Sequence, residues 1–562
     1  MVHTGMTHTE IGMDEELHTE TEDTIGKGRE SELPAVCRFL KGFLDYGICL
    51  YLILLLAVMP LYSQDGYSHI GTDKAVFFCK VSAVFCGVLL PVAVLYLVMR
   101  AAGKRKSGSA LQPFGMCWKR TDFFAALYGA ALVISYFCSR YREVALWGAK
   151  RWYMGFWPQM FLVLIYFLVS RFWKPRKWMF YLMLTVAAPV FALGYLNRFS
   201  VYPLQMEPRN PQFISTIGNI NWYCGYVVPV LMAGAGLLWL QEGRGGGERR
   251  RFGRLRSALC AVYVLVGFGT LVTQGSDSGI AALAVVLLVM FCLSAADSRR
   301  MVALAQILLL LWGACIVTAA VWRAVPNNMN YRSGGMDMLL SAKVLIPMTV
   351  VSFLFFLWVC VKRKKGTYSE KQMWYLTFGT GAAVAAGIAL ILSMAAVNTI
   401  WPGSLGALSS HPLFTFSESW GSNRGATWKA GWMCFPEQDF LHRLTGVGPD
   451  AMWEEIRSRG SAELVGMIKR NFGSLNLVNA HNEWLTVLVN TGLLGLCGFA
   501  GMIVCGITDF LREGRKKPFV CACGLCLLGY TANNIFSFQQ AMGVAVIFSI
   551  FGMGRAFQKQ GA

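Results

Sequence analysis

The sequence predicts an all-α, polytopic membrane protein with about 12–14 transmembrane helices and one large helical extracytoplasmic loop. Three observations carry that reading. Of the 562 residues, 55% are hydrophobic and only 15% charged, where a soluble chain carries about 25%. The apolar residues fall in blocks long enough to cross a ~30 Å hydrocarbon core as helix, the form in which a backbone satisfies itself in lipid. Between the blocks lie short basic clusters, Lys104–Lys106, Lys174–Lys177, Arg249–Arg251, Lys362–Lys365 and Arg515–Lys517. One orientation, with the N-terminus inside, puts all of them on the cytoplasmic side, as the positive-inside rule requires.

Taken in order, residues 1–35 are acidic, rich in Thr and Glu and without helical period, which predicts a disordered cytoplasmic tail. Spans follow near 40–62, 75–99, 122–138, 156–172, 178–196, 219–241, 257–274, 278–295, 301–323, 344–361, 373–399, 484–507, 518–536 and 540–557. They divide into N-terminal transmembrane helices (36–210), a core (211–510) and C-terminal transmembrane helices (511–562). Within the core, residues 400–483 form a long outward connection. Its tryptophans and helix-compatible stretches such as "PDAMWEEIRSR" predict an ordered helical cap rather than a disordered loop.

The net charge of +20 raises nucleic acid as a partner, but positives confined to interspan clusters are explained by topology, so none is expected. Most of the 17 cysteines lie inside apolar blocks and read as small buried hydrophobes. Cys523 and Cys526 form a CxxC with no partner pair, and no metal site is read there.

Candidate chemistry gathers on the outward side. His481 stands where the large loop meets a span, and histidine titrates near neutrality. Its neighbour Asn482 offers an amide able to hold a hydroxyl or a carbonyl. In "SNRGATWKAGW", Arg424 presents the planar fork that binds two phosphate oxygens at once. In "LTGVGPDAM", Gly446 and Gly448 permit close backbone approach or a tight turn. Outward arginines run against the positive-inside rule, so Arg151 and Arg198 suggest an anionic ligand on that side. Lys80, near the outer end of the second span, either snorkels or faces a cavity. Polar breaks at span ends add Asn219 and Asn221 in "GNINWYCGY", Asp277 in "TQGSDSG", and Asn533 and Asn534 in "TANNIF". Each alone is a cap or turn former; together they place polar groups at one depth.

These residues resemble the bacterial O-antigen ligase and O-antigen polymerase family of membrane glycosyltransferases. The ligases carry a His, then Asn, Ser or Gln, nine residues, and Gly-x-x-Gly/Thr/Tyr. Here His481 and Asn482 are followed after nine residues by Gly492 and Gly495. "RGATWKAGW", "LTGVGPDAM" and "GNINWYCGY" are similar to other family segments and occur in the same order, over roughly residues 210–500. One position departs: many members have Ser-Arg-Gly where this chain has Ser276-Asp277-Ser278-Gly279.

The resemblance implies a glycan carried on undecaprenyl diphosphate and moved to the hydroxyl of an acceptor lipid, protein or polysaccharide at the outer face of the cytoplasmic membrane. It implies His481 as base or acceptor-orienting group, Arg424 as diphosphate clamp and Asn482 as positioning residue. With the family arginine missing, a second cation such as Arg151, Arg198 or Lys80 is expected at the phosphates. No Asp-x-Asp motif occurs in the outward loop, so no metal or other cofactor is expected. Ligase and polymerase stay open. A transporter is less favoured, because no internal repeat is evident and the polar residues gather at the outer mouth rather than the midplane.

Overall fold

A computed structural model describes residues 35–106, 118–150, 152–240, 248–473, 476–514 and 517–560. The expected tail up to residue 34, the glycine-rich segment 241–247 and Arg151 lie outside the described residues.

The chain is almost entirely helical, as the apolar blocks predict. Six helices come first: α1 (Ala35–Leu61), α2 (Ile70–Lys106), α3 (Arg120–Cys138), the short α4 (Arg142–Trp147), α5 (Phe156–Phe172) and α6 (Lys177–Arg198). A two-residue hairpin pairs Phe213–Ile214 with Gly218–Asn219 and leads into α7 (Ile220–Trp239). Next come α8 (Glu248–Thr273), α9 (Asp277–Ser294), α10 (Ser298–Ala324), the short α11 (Gly334–Leu340), α12 (Ala342–Lys364) and α13 (Glu370–Ile400). The large connection holds α14 (Trp420–Glu437), α15 (Phe440–Thr445), α16 (Met452–Arg459) and α17 (Ala462–Phe472). Then α18 (Glu483–Glu513), α19 (Pro518–Asn533) and α20 (Ala541–Lys559) end the chain.

Among the described residues, twelve helices are long and apolar enough to cross a membrane, and α5 and α19 are shorter apolar helices. Polar contacts define two ends of the bundle. At one, Arg176 meets Asp45 at 2.5 Å, Lys559 donates to the Ser170 carbonyl at 2.7 Å, and Lys517 donates to the Gln558 carbonyl at 2.9 Å. The predicted basic cluster Lys174–Lys177 lies at this basic end, as does Lys517. The other carries the cap. Both α5 and α19 run from one end to the other: Phe172 and Pro518 adjoin the basic-end contacts, while Gly155 and Asn533 lie toward the cap. The molecule is therefore a multi-pass α-helical membrane protein.

Packing ties the beginning of the chain to its end, α3 against α18 and α5 against α20, while α7 lies along α19. By contrast, α12 and α13 expose most of their apolar surface. The cap has a core of its own, in which Ala430, Cys434, Met452, Ile456, Leu464, Met467 and Ile468 are buried. This agrees with the ordered helical loop expected from the sequence.

The cap joins the bundle at a break in α18. Gly492 has φ 67° and ψ −170° inside that helix, a conformation only glycine adopts at little cost. A Cβ there would strike the Leu444 carbonyl. The break frees the carbonyls of Val489 and Asn490, which accept instead from Val447 N–H at 3.2 Å and Gly448 N–H at 3.0 Å. A membrane helix tolerates a break only when the freed groups find protein partners. The Gly446–Gly448 turn supplies them.

Candidate functional site

The site forms where α14, the 479–482 segment, the mouth of α7, the 274–278 turn and the 534–540 connection meet. Arg424 sits just past a kink at Gly421, Ser422 and Asn423, all with φ between 59° and 67°. Its Nε donates to the Phe536 carbonyl at 2.9 Å, Nη1 to the Gly421 carbonyl at 3.0 Å and Nη2 to Asn221 Oδ1 at 3.4 Å. Burial lowers the guanidinium pKa, while Cys224 and Asp277 pull the other way.

Asn221 links this arginine to the 274–278 turn, because Ser276 Oγ donates to Asn221 Oδ1 at 3.0 Å. Ser276 and Ser278 hydroxyls lie 2.8 Å apart, and Ser278 donates to Asn533 Oδ1 at 3.1 Å. Three polar breaks from distant parts of the chain thus become one hydrogen-bonded network that ends on Arg424. In the same turn, Asp277 accepts from Gly335 N–H at 3.0 Å.

His481 has φ 49°, a left-handed conformation uncommon for a side-chain-bearing residue. Its N–H donates to Asn479 Oδ1 at 3.1 Å, and its carbonyl accepts from Trp428 Nε1 at 3.4 Å. The ring meets Phe538 edge-on, centroids 4.9 Å apart, and its Nδ1 is buried without a hydrogen bond. Burial first, then the Arg424 charge, lowers its pKa from 6.5 to about 4. The resting imidazole is therefore neutral at physiological pH.

Two aromatic groups lie near His481, one at its carbonyl and one at its ring. Trp428 stacks on Phe536 at 5.8 Å. At the ring, Phe538 meets Trp152 at 5.1 Å, and Trp152 meets Trp222 at 6.0 Å. Phe536 and Phe538 thus meet different groups, Trp428 and the His481 ring.

The remaining sequence candidates divide. Asn219 caps α7, accepting from Asn221 N–H at 2.9 Å, and Asn482 caps α18, accepting from Leu485 N–H at 3.1 Å. Gly446 and Gly448 are buried at the α18 break, where a Cβ on Gly446 would strike the Asn490 carbonyl; they shape the turn and do not line the His481–Arg424 site. Arg198 corrects an expectation. It is fully buried and donates to the carbonyls of Thr273 (2.8 Å), Pro211 (2.6 Å) and Gln274 (2.5 Å) and to Asn330 Oδ1 (3.2 Å). Those bonds fasten the 274–278 turn and leave no fork for a phosphate. Lys80 is exposed on α2.

Sequence reasoning missed Asp450 and Glu483. Both are at most 5% exposed and line a cavity of ≈ 30 Å³ beside His481. Glu483 immediately follows the His-Asn pair, a carboxylate opening a membrane helix, and that was the available signal. Asp450 lies inside "LTGVGPDAM", two residues before α16, where an acidic residue reads as an ordinary turn former.

The fold and site together define a multi-pass membrane protein with a polar junction under an extramembrane cap. Compared with known proteins, the chain matches no family model and no curated protein.

Proposed function

We propose that the protein is a membrane glycosyltransferase of the O-antigen ligase type. It moves a glycan from undecaprenyl diphosphate to an acceptor hydroxyl at the outer face of the cytoplasmic membrane. The observation that carries this reading is the meeting of Arg424, Asn221, the 274–278 turn and His481, four separate motif segments, at one junction beneath the cap.

The acceptor oxygen attacks the anomeric carbon, the bond to the diphosphate oxygen breaks, and the electron pair leaves with the lipid diphosphate. His481 takes the hydroxyl proton. Diphosphate is a good leaving group and needs charge stabilisation more than protonation, which the Arg424 guanidinium supplies. A pKa of about 4 makes the resting imidazole a weak base. A diphosphate beside Arg424 offsets the positive charge that disfavours imidazolium, so donor binding strengthens the base before the acceptor reacts. Donor binding thus restores part of the base strength that the Arg424 charge removes.

The test is transfer in vitro from a purified lipid-diphosphate glycan to candidate acceptors. His481→Ala and Arg424→Ala are each expected to lower transfer by about 10²–10⁴-fold, with expression and membrane insertion unchanged. Normal transfer by His481→Ala removes the histidine from the mechanism. The same assay separates a ligase from a polymerase by whether a second repeat unit or a different molecule accepts the glycan.

A further inference from the structure

Behind His481 lies a polar cavity of ≈ 30 Å³ lined by Asp450, Glu483, Gln159, Asn479, Asn490 and Gln539, among others. It has room for about two water molecules. The two carboxyls reach it from different elements: Asp450 from the cap turn, Glu483 from the first turn of α18. The other titratable groups facing Glu483 are Tyr128 from α3 and Tyr530 from α19, both near enough to feel its charge. Among the described residues no lysine, arginine or histidine lines the cavity. Two buried carboxylates with no cation between them cannot both stay ionised at tolerable cost.

Glu483 grips the 534–540 connection, and Asp450 the 149–154 segment. Glu483 Oε2 accepts from Gln539 N–H at 2.6 Å, next to the Phe538 ring that packs on His481. Glu483 N–H donates to the Asn534 carbonyl at 2.9 Å. Asp450, itself at φ 61°, holds the N–H groups of Ala149 (2.8 Å) and Met154 (3.3 Å). Asn479, which lines the cavity, holds the His481 N–H at 3.1 Å. Gln539, 6% exposed, also lines the cavity and its Nε2 has no partner. A polar space of this size, lined by two carboxyls and several amides, can hold a bridging water.

We propose that Asp450 and Glu483 are an acid pair that shares one proton through water in this cavity, and that the shared proton positions the backbone carrying His481. As a positioning device it rests on the reading of His481 as the base; as an acid pair it does not. Neither residue touches the reacting atoms. Consistent with the pairing, burial pushes the Asp450 carboxyl up from 3.8 to about 7. Above neutral pH the shared proton leaves, the two negative charges repel, and the segments at 479–483 and 534–540 lose their register.

Two measurements test this. Infrared spectra of the full-length protein in D₂O at neutral pH should show the carbonyl stretch of a buried protonated carboxyl; Glu483→Gln and Asp450→Asn, each leaving one buried acid, should shift its frequency, and the double variant should remove it. This readout needs no activity. In the transfer assay, the wild type should lose activity reversibly as pH rises above about 7, while the two isosteric amides keep it to a pH higher by about one unit or more. Glu483→Ala should lose activity at every pH, with thermal unfolding followed to separate misfolding. Absence of the protonated band, or an alkaline limb unmoved in both amide variants, overturns the acid pair. Full transfer by His481→Ala with the band present overturns the catalytic reading instead, and with it the positioning role, while the pair itself stands.

Discussion

The two ends of the bundle treat buried charge in opposite ways. At the basic end, the fully buried Asp122 accepts from Tyr166 OH at 2.6 Å and Lys119 N–H at 2.9 Å, and pairs with Arg171 at 2.8 Å and Arg555 at 3.0 Å. At the cap end, Asp450 and Glu483 face a cavity that no cation among the described residues lines, and His481 Nδ1 and Gln539 Nε2 are buried without hydrogen-bond partners. A carboxylate closed in by cations and donors locks α3, α5 and α20 together. A site that leaves acids, a base and an amide incompletely paired keeps capacity for a proton or a ligand. Arg198 and Arg424 repeat the contrast within one end. The first donates to three carbonyls and an amide, whereas the second makes a long 3.4 Å contact to Asn221 with the Nη2 that it turns toward the network.

The comparison is broken most forcefully at the basic end. Asp122→Ala leaves Arg171 and Arg555 buried without their carboxylate, and is expected to destabilise the fold by about 3–5 kcal/mol. Thermal unfolding in detergent measures it. Whatever folded protein remains should show the wild-type pH dependence of transfer, since Asp122 lies at the end away from His481. A changed pH profile in that variant would mean that the two ends are coupled and that the contrast is false.

That division was only partly legible in the sequence. Apolar block length and basic clusters locate spans because both are local properties, and the helices fall within a few residues of the expected limits. The cap was legible from its length and tryptophans. His481, Arg424, Asn221 and the 274–278 turn stood out as polar groups beside apolar blocks, and the structure brings them together. Arg198 misled, because an arginine at a span end looks the same whether it meets solvent or three backbone carbonyls. Gly446 and Gly448 form the tight turn their freedom allows, but the sequence does not show that the α18 break at Gly492 uses it. The Asp450–Glu483 cavity depends on contacts among segments near 150, 450, 480 and 538, and no local pattern encodes such a meeting.

A smaller effect sharpens the electrostatic side of the comparison. A base must be neutral to act, and burial together with the Arg424 charge holds His481 at about 4 rather than 6.5. The acid limb of kcat/KM, which reports the free enzyme, is therefore expected near pH 4, with activity kept as pH falls through 6.5. Arg424→Gln removes the positive charge that disfavours imidazolium. In the residual activity of that variant the limb should move upward, stopping short of 6.5 because burial, the larger cause, remains. A limb that stays near 4 would show that the arginine charge does not reach the titrating group.

The smallest effect separates two asparagines that stand two residues apart. Asn221 Oδ1 accepts from Ser276 and from Arg424, so it couples the 274–278 turn to the guanidinium. Asn219 Oδ1 accepts from the N–H of Asn221 and only caps α7. Asn221→Ala removes a hydrogen bond worth about 0.5–1.5 kcal/mol from the network that orients Arg424, which converts to a fall of about 2- to 12-fold in kcat/KM for the lipid-diphosphate donor. Asn219→Ala removes a cap and should cost about 0.5–2 kcal/mol of stability, with kcat/KM of the folded protein unchanged. Measured side by side, the two variants ask whether the network acts on the arginine or merely ends there. If both lower kcat/KM equally, Asn221 serves the helix and not the guanidinium, and Arg424 holds its place through the Phe536 and Gly421 carbonyls alone.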